Sequence, residues 1–237
     1  MPYQAILEAD LIGRIRSWVV RIWLVLMAFQ AFFTVAGALT EEEAIASEAI
    51  AGLLGTFPLV WSVFVIIISS SAVSSEAGVV ADSVLSKAVT RYEYILAKFS
   101  SRLFTVIGLY LIVVLPAVFI ISNNTDDALS NAGLTWGVTL IGLFLVLLTS
   151  LAVTFSTLFN RTMVAVVIVW FLWYGAGIIL ALVGAEYLSP VTIIETLPAM
   201  LQGDYDSADQ WRTLVGFSLP SIGSILVAIV YFSRKDL

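Results

Sequence analysis

The sequence predicts an all-α membrane protein with six transmembrane helices, and three observations carry that reading. Six stretches of the chain hold about 20 apolar residues each, the length that a helix rising about 1.5 Å per residue needs to cross a hydrocarbon layer about 30 Å thick. Hydrophobic residues make up 60% of the chain, charged residues 12%, and the mean hydropathy is +1.03, more apolar surface than one water-soluble core of this size can hide. No stretch shows the alternating strands, roughly ten residues long, of a membrane β-barrel.

The expected spans are 19–39, 50–73, 103–121, 134–155, 163–184 and 214–232, within a single transmembrane domain covering 1–237. An even number of crossings puts both termini on one side, and basic residues near short loops mark the cytoplasmic side because they resist translocation. Arg14, Arg16, Arg21, Lys87, Arg91, Lys98, Arg102, Arg161, Arg234 and Lys235 fall on one face, leaving only Arg212 opposite. That face is expected to be cytoplasmic. Eleven of the 17 acidic residues lie on the outer face. With only three Lys in the chain, such a surface suits a prokaryotic plasma membrane of a halophilic archaeon, and equally a loop surface that is merely solvated.

Ahead of the first span, residues 1–18 place Tyr3, Leu7, Leu11, Ile15 and Trp18 at helical spacing, with Glu8, Asp10, Arg14 and Arg16 on other faces. The pattern predicts an N-terminal amphipathic interfacial helix lying in the lipid headgroups; a disordered leader is the alternative. The same charges break up the apolar core of a signal peptide, so insertion is expected to begin with the first span. That span carries Arg21, expected to snorkel, and Gln30, suited to a hydrogen bond across a helix interface; the other spans carry no ionisable or amide side chain. Pro58, Pro116 and Pro220 lie inside the second, third and sixth spans, each removing a backbone donor. Gly133 and Gly137 give a GxxxG spacing that permits close helix approach.

The cytoplasmic segment 74–98 holds two helical patterns. The first, near 75–86, sets Ala77, Val80, Val84 and Leu85 beside Glu76, Asp82 and Ser83. The second starts at a capping box, Thr90 with Glu93, and runs from Arg91 through Lys98 into the third span. A half-apolar helix displayed there packs against another protein or against the membrane surface, and both remain open at this level. A tight turn at 156–162 joins the next two spans. Between the fifth and sixth, Ser189 and Pro190 start a short outer helix that Pro198 and its length keep from crossing.

The chain holds no His and no Cys, which excludes imidazole bases, thiolate nucleophiles, disulfides and His/Cys metal sites. An ion-coupled secondary transporter or channel needs polar groups at depth, and an intramembrane enzyme needs a constellation there; the spans favour neither. The aromatic interior expected from Phe29, Phe32, Phe33, Trp61, Trp136, Trp170 and Trp173 suits a lipid-like passenger as well as ordinary lipid-facing packing.

From Ser75 to Phe99 the chain resembles the loop after the second span in permeases of the ABC-2 type transporter family, the six-helix membrane subunits of ATP-driven exporters. Glu76, Gly78, Leu85, Ser86, Arg91, Lys98 and Phe99 fall on the family's Glu–small–Gly start, apolar stretch, turn, Arg and Lys-Phe lead-in. Ala88 stands where many relatives have Pro. Asn160, Arg161 and Thr162 with Ala165, and the ending from Phe232 to Leu237, agree with the same family. The resemblance implies that 76–86 is a coupling helix docking into a separate ATPase subunit through Glu76, Ala77, Gly78, Val80, Asp82, Val84, Leu85 and Ser86, with Arg91 alongside. It also implies a second permease copy. The chain lacks the GxxxxGK[ST] phosphate loop, so ATP and Mg would bind the partner ATPase, and no cofactor, catalytic residue or nucleic-acid partner is expected of this chain.

Overall fold

A backbone in hydrocarbon must satisfy its polar groups internally, which leaves helices as the natural state of an apolar chain. The computed structural model describes residues 2–40, 45–74, 90–125, 127–159 and 161–234, and these form helices without a strand among them. In chain order they are α1 (Pro2–Ile15), α2 (Trp18–Thr40), α3 (Ala46–Ser70), α4 (Arg91–Asn124), α5 (Asn131–Leu158), α6 (Thr162–Leu182), a single turn at Glu186–Leu188, α7 (Pro190–Gln202) and α8 (Ser207–Arg234). Among the described residues α2, α3, α4, α5, α6 and α8 are long and apolar enough to cross a membrane. They correspond to the six expected spans.

Two boundaries differ from expectation for local reasons. The second span closes at Ser70, three residues short of 73, because the chain turns there, with Ala72 N–H donating to the Ser69 carbonyl at 3.1 Å. The third begins twelve residues before 103, at Arg91, since the Thr90 and Glu93 capping box starts the helix well before the apolar run. Long-range contacts define two ends of the bundle. Ser47, Asp127, Ser130 and Leu201 meet at the acidic end, whereas Tyr3, Asp10, Lys98, Arg91 and Phe232 meet at the basic end.

Midway along α3 the helix loosens into a π segment, Phe57–Trp61, at Pro58, whose ring nitrogen has no hydrogen to donate. Carbonyls of the π segment accept from α6. Trp173 Nε1 donates to the Pro58 carbonyl at 2.9 Å, and the Tyr174 hydroxyl bonds the Leu59 carbonyl and lies 3.0 Å from Ser62 Oγ. On α2, Gln30 accepts from Trp61 Nε1 at 2.6 Å and donates to Thr56 Oγ1 at 2.9 Å, the cross-helix bonding its position suggested. The first, second and fifth spans are thereby pinned at one level. Of the seven aromatics left between an interior and a lipid-facing place, Phe29, Phe32, Phe33 and Trp170 face outward, 62%, 66%, 56% and 42% exposed, and Trp61 and Trp173 are buried. Gln30 turns its own side of α2 toward α3 for these hydrogen bonds, and the three phenylalanines fall on other sides.

Helix α5 runs through the centre, with Leu140, Ile141, Phe144, Leu145 and Leu148 fully enclosed. Short α7 lies between α3 and α5 at the acidic end, burying Ile193, Leu197 and Leu201. The GxxxG pair serves this contact rather than a second spanning helix. A Cβ on Gly133 would stand 2.3 Å from the Met200 carbonyl oxygen, and one on Gly137 2.9 Å from Leu201 Cδ2. Helix α7 ends at Gly203, whose φ of +96° places it in the left-handed region that glycine adopts without strain.

Replacing Gly133 with Val therefore forces α7 off α5 and is expected to cost about 2–3 kcal/mol, in the upper range of overpacking. A lowered melting temperature in detergent checks this. Gly108→Ala, where an added Cβ meets nothing within 4 Å, should melt as the parent does.

Candidate functional site

Of the site residues expected from sequence, Glu76, Ala77, Gly78, Val80, Asp82, Val84, Leu85 and Ser86 lie outside the described residues, and Arg91 lies within them. What the structure describes is the frame that holds both legs of that segment. The departing leg is the turn at 71–74. Ser156, near the end of α5, accepts the N–H groups of Val73 at 3.0 Å and Ser74 at 3.1 Å through one hydroxyl oxygen. The Ser74 hydroxyl lies 2.7 Å from Thr162 Oγ1 at the start of α6. Backbone donors just past the end of α3 are thus taken up by one side chain of α5, and the Ser74 side chain is held by α6.

The returning leg begins at the capping box, where Glu93 N–H donates to Thr90 Oγ1 at 3.2 Å and Thr90 N–H to Glu93 Oε2 at 3.1 Å. Arg91 Nη1 then donates to the carbonyls of Phe232, at 3.5 Å, and Ser233, at 3.3 Å. Those carbonyls belong to the last turn of α8, where helix oxygens lack intrahelical donors and attract a cation. Tyr94 stacks on Phe232 with ring centroids 5.7 Å apart. Together with Ala72, Val73, Ile95, Phe99, Val153 and Ala228 these rings form a second apolar cluster, separate from the main core.

Helix α1 ties the legs together. Asp10 Oδ1 lies 2.9 Å from Lys98 Nζ, and its other oxygen accepts from Arg102 Nη1. Both cations are deep inside: the Lys98 side chain is 5% exposed and that of Arg102 is fully enclosed. Arg14, one turn on, lies 3.9 Å from Asp10 and donates to Ser71 Oγ at 3.3 Å, so α1 reaches the departing leg as well. Tyr3 donates to Ser100 Oγ at 2.9 Å. Burial pushes the Asp10 carboxyl up, but Arg102 and Lys98 outweigh it and hold its pKa at about 2.

Asp10, Lys98 and Arg102 were not singled out as site residues by the sequence, which set Asp10 on a polar face away from the apolar stripe. The structure corrects this. Tyr3, Leu7, Asp10 and Arg14 share the side of α1 turned toward α4, whereas Ile15 and Trp18 are exposed. The available signal was helical spacing: Asp10 follows Leu7 by three residues and precedes Arg14 by four. At the acidic end, Ser47 N–H donates to Asp127 at 2.9 Å, which holds that carboxyl below its usual range, and Gln202 donates to Ser47 Oγ at 3.0 Å. Among the described residues no three carboxylates converge where a metal could sit. The arrangement offers mechanical linkage: the departing leg is tied to α1, α5 and α6, and the returning leg to α1 and α8.

Asp10→Asn leaves two buried cations without their counter-charge and is expected to cost about 3 kcal/mol, read as a fall in melting temperature. Adding Lys98→Met and Arg102→Met should restore most of it. Asp209→Asn, which breaks an ion pair 67% exposed on both sides, should change stability by no more than about 0.5 kcal/mol. Because the folded-state pKa of Asp10 is depressed, its contribution is complete above the ordinary value of 3.8 and is lost as the pH falls through about 2. No family model and no curated protein matches the chain.

Proposed function

We propose that this chain is the membrane-spanning permease subunit of an ATP-driven exporter of the ABC-2 type, working as a pair of six-helix copies or with a similar permease. The observation that carries this reading is the held segment at the basic end. A stretch whose sequence resembles the family's coupling loop leaves through Ser156 and Thr162 and returns through Thr90 and Arg91, so its legs bear on the fourth, fifth and sixth spans. Legs fixed in this way suit a lever on which another protein pushes.

In this reading the basic end is cytoplasmic and both termini lie there, in keeping with the distribution of Lys and Arg. Helix α1 rests at the headgroup boundary while its inner side holds α4, and α7 lies at the outer surface. The 76–86 element is the coupling helix, received by a nucleotide-binding subunit that binds ATP and Mg; this chain carries no phosphate loop of its own. ATP-driven closure of two such subunits would draw the frames together and open the pathway between permeases outward. The acidic outer loops and low Lys content fit a plasma membrane facing high salt.

The test is reconstitution in vesicles with phosphate-loop ATPase subunits from the same genome. Val84→Asp or Leu85→Pro should abolish stimulation of ATP hydrolysis by the permease, roughly tenfold or more, while the chain still inserts and melts as the parent does. Full stimulation in both variants, or solute flux through the chain alone without ATP, would remove the assignment; the second result would favour an ATP-independent channel or transporter.

A further inference from the structure

Helices α6 and α8 each lean on α5 but make little contact with one another. Between them runs a cleft of about 230 Å³. Its floor is one stripe of α5, namely Phe144, Leu147, Leu151 and Phe155, and its walls include Trp173 of α6 and Phe217 of α8. No lining residue is charged, and the one polar side-chain group, the indole N–H of Trp173, is already donated to the Pro58 carbonyl. Ala176, a small residue, keeps the α6 wall open, while Gly216 lets Leu188 close against α8. An empty apolar gap of this size forfeits dispersion contacts along its whole lining, so a flexible hydrocarbon chain is favoured to fill it.

Charge gives the occupant a direction. Past Phe155, helix α5 ends at Leu158 and the chain enters α6 at its N-cap Arg161, an exposed residue with no ion pair among the described residues, so a cation stands beyond the Phe155 end of the cleft. A cation beside a helix N-terminus favours an anion. The opposite end is closed by Leu188, in the turn that begins with the acidic Glu186, and an anion is disfavoured there. We propose that the cleft binds one acyl chain of an anionic phospholipid, with the phosphate at Arg161 and the chain running along α5 toward Leu188. The site depends on the spans lying in a bilayer and not on the transport reading.

The experiment places the full chain in vesicles of phosphatidylcholine and phosphatidylglycerol, with a diazirine midway along an acyl chain of one lipid or the other, and maps the photo-adducts by mass spectrometry. Adducts are expected to concentrate on 147–155 and around Ala176, more from phosphatidylglycerol than from phosphatidylcholine. Arg161→Gln should lower that preference by about fivefold, the size of one exposed ion pair. Ala176→Trp, which fills the cleft, should remove these adducts and leave those on the outward face of α2 at Phe29 and Phe33. Adducts spread evenly over every exposed span overturn the site, and the parent chain alone decides this if the Trp variant fails to fold. Equal labelling by the two lipids overturns the headgroup assignment. The chain is free of Cys, so a disulfide between copies of an Ala176→Cys variant would show that a second copy fills the cleft instead.

Discussion

A carboxylate withdrawn from water is costly unless cations meet it, and cations withdrawn from water are costly unless an anion meets them. Asp10, Lys98 and Arg102 solve both problems together, at the junction between the N-terminal helix and the extension of the third span. No member can move far without exposing the charge of the others to an apolar surround. The position of α1 follows from this, and so does the position of the returning leg of 74–98, since Lys98 and Arg102 lie on the turns just after Arg91 and Tyr94. Arg14 extends the same linkage to Ser71, and Arg91 extends it to the carbonyls that end α8. The basic end is therefore a set of helices joined by charge-assisted bonds, the strongest of them at the enclosed Asp10, Lys98 and Arg102.

The same rule governs the middle of the bundle. Pro58 removes a donor from α3 where the helix widens into a π segment, and carbonyls of that segment accept from Trp173 and Tyr174 of α6. Gln30 repeats the solution from α2. These bonds sit where no water competes, so they fix the relative level of three helices that apolar packing alone would let slide. At the acidic end the constraint is steric: Gly133 admits the backbone of α7 where any side chain would collide. Charge at one end, hydrogen bonds in the middle and close packing at the other hold spans that are otherwise uniformly apolar.

Much of this was legible in the sequence wherever composition and short spacing decide structure. Lipid demands long apolar runs, and all six emerged; the Thr90 and Glu93 box marked the true start of α4, and Ser189 with Pro190 marked the start of α7. Long-range pairing was not legible. Asp10 meets partners 88 and 92 residues away, and nothing in its own neighbourhood names them. Pro58 announces an irregular turn of the helix, but not the Trp173 that donates to its carbonyl 115 residues later. The glycine spacing at 133 and 137 announces a close approach and leaves its partner, the short α7, unnamed. The outward turn of Phe29, Phe32 and Phe33 was hidden for a related reason: in a span apolar all round, periodicity does not tell a lipid face from a core face.

In the function we propose, the basic end moves as one piece when a partner subunit binds ATP and returns when it hydrolyses it. A single nitroxide at Tyr92→Cys, an exposed position on the returning leg of an otherwise Cys-free chain, reports the distance between frames of paired copies by pulsed electron resonance. In vesicles carrying the ATPase, that distance is expected to shorten when ATP and Mg are added and to recover after hydrolysis. A distance that stays the same with and without ATP, or the absence of any pair of copies, would contradict the account.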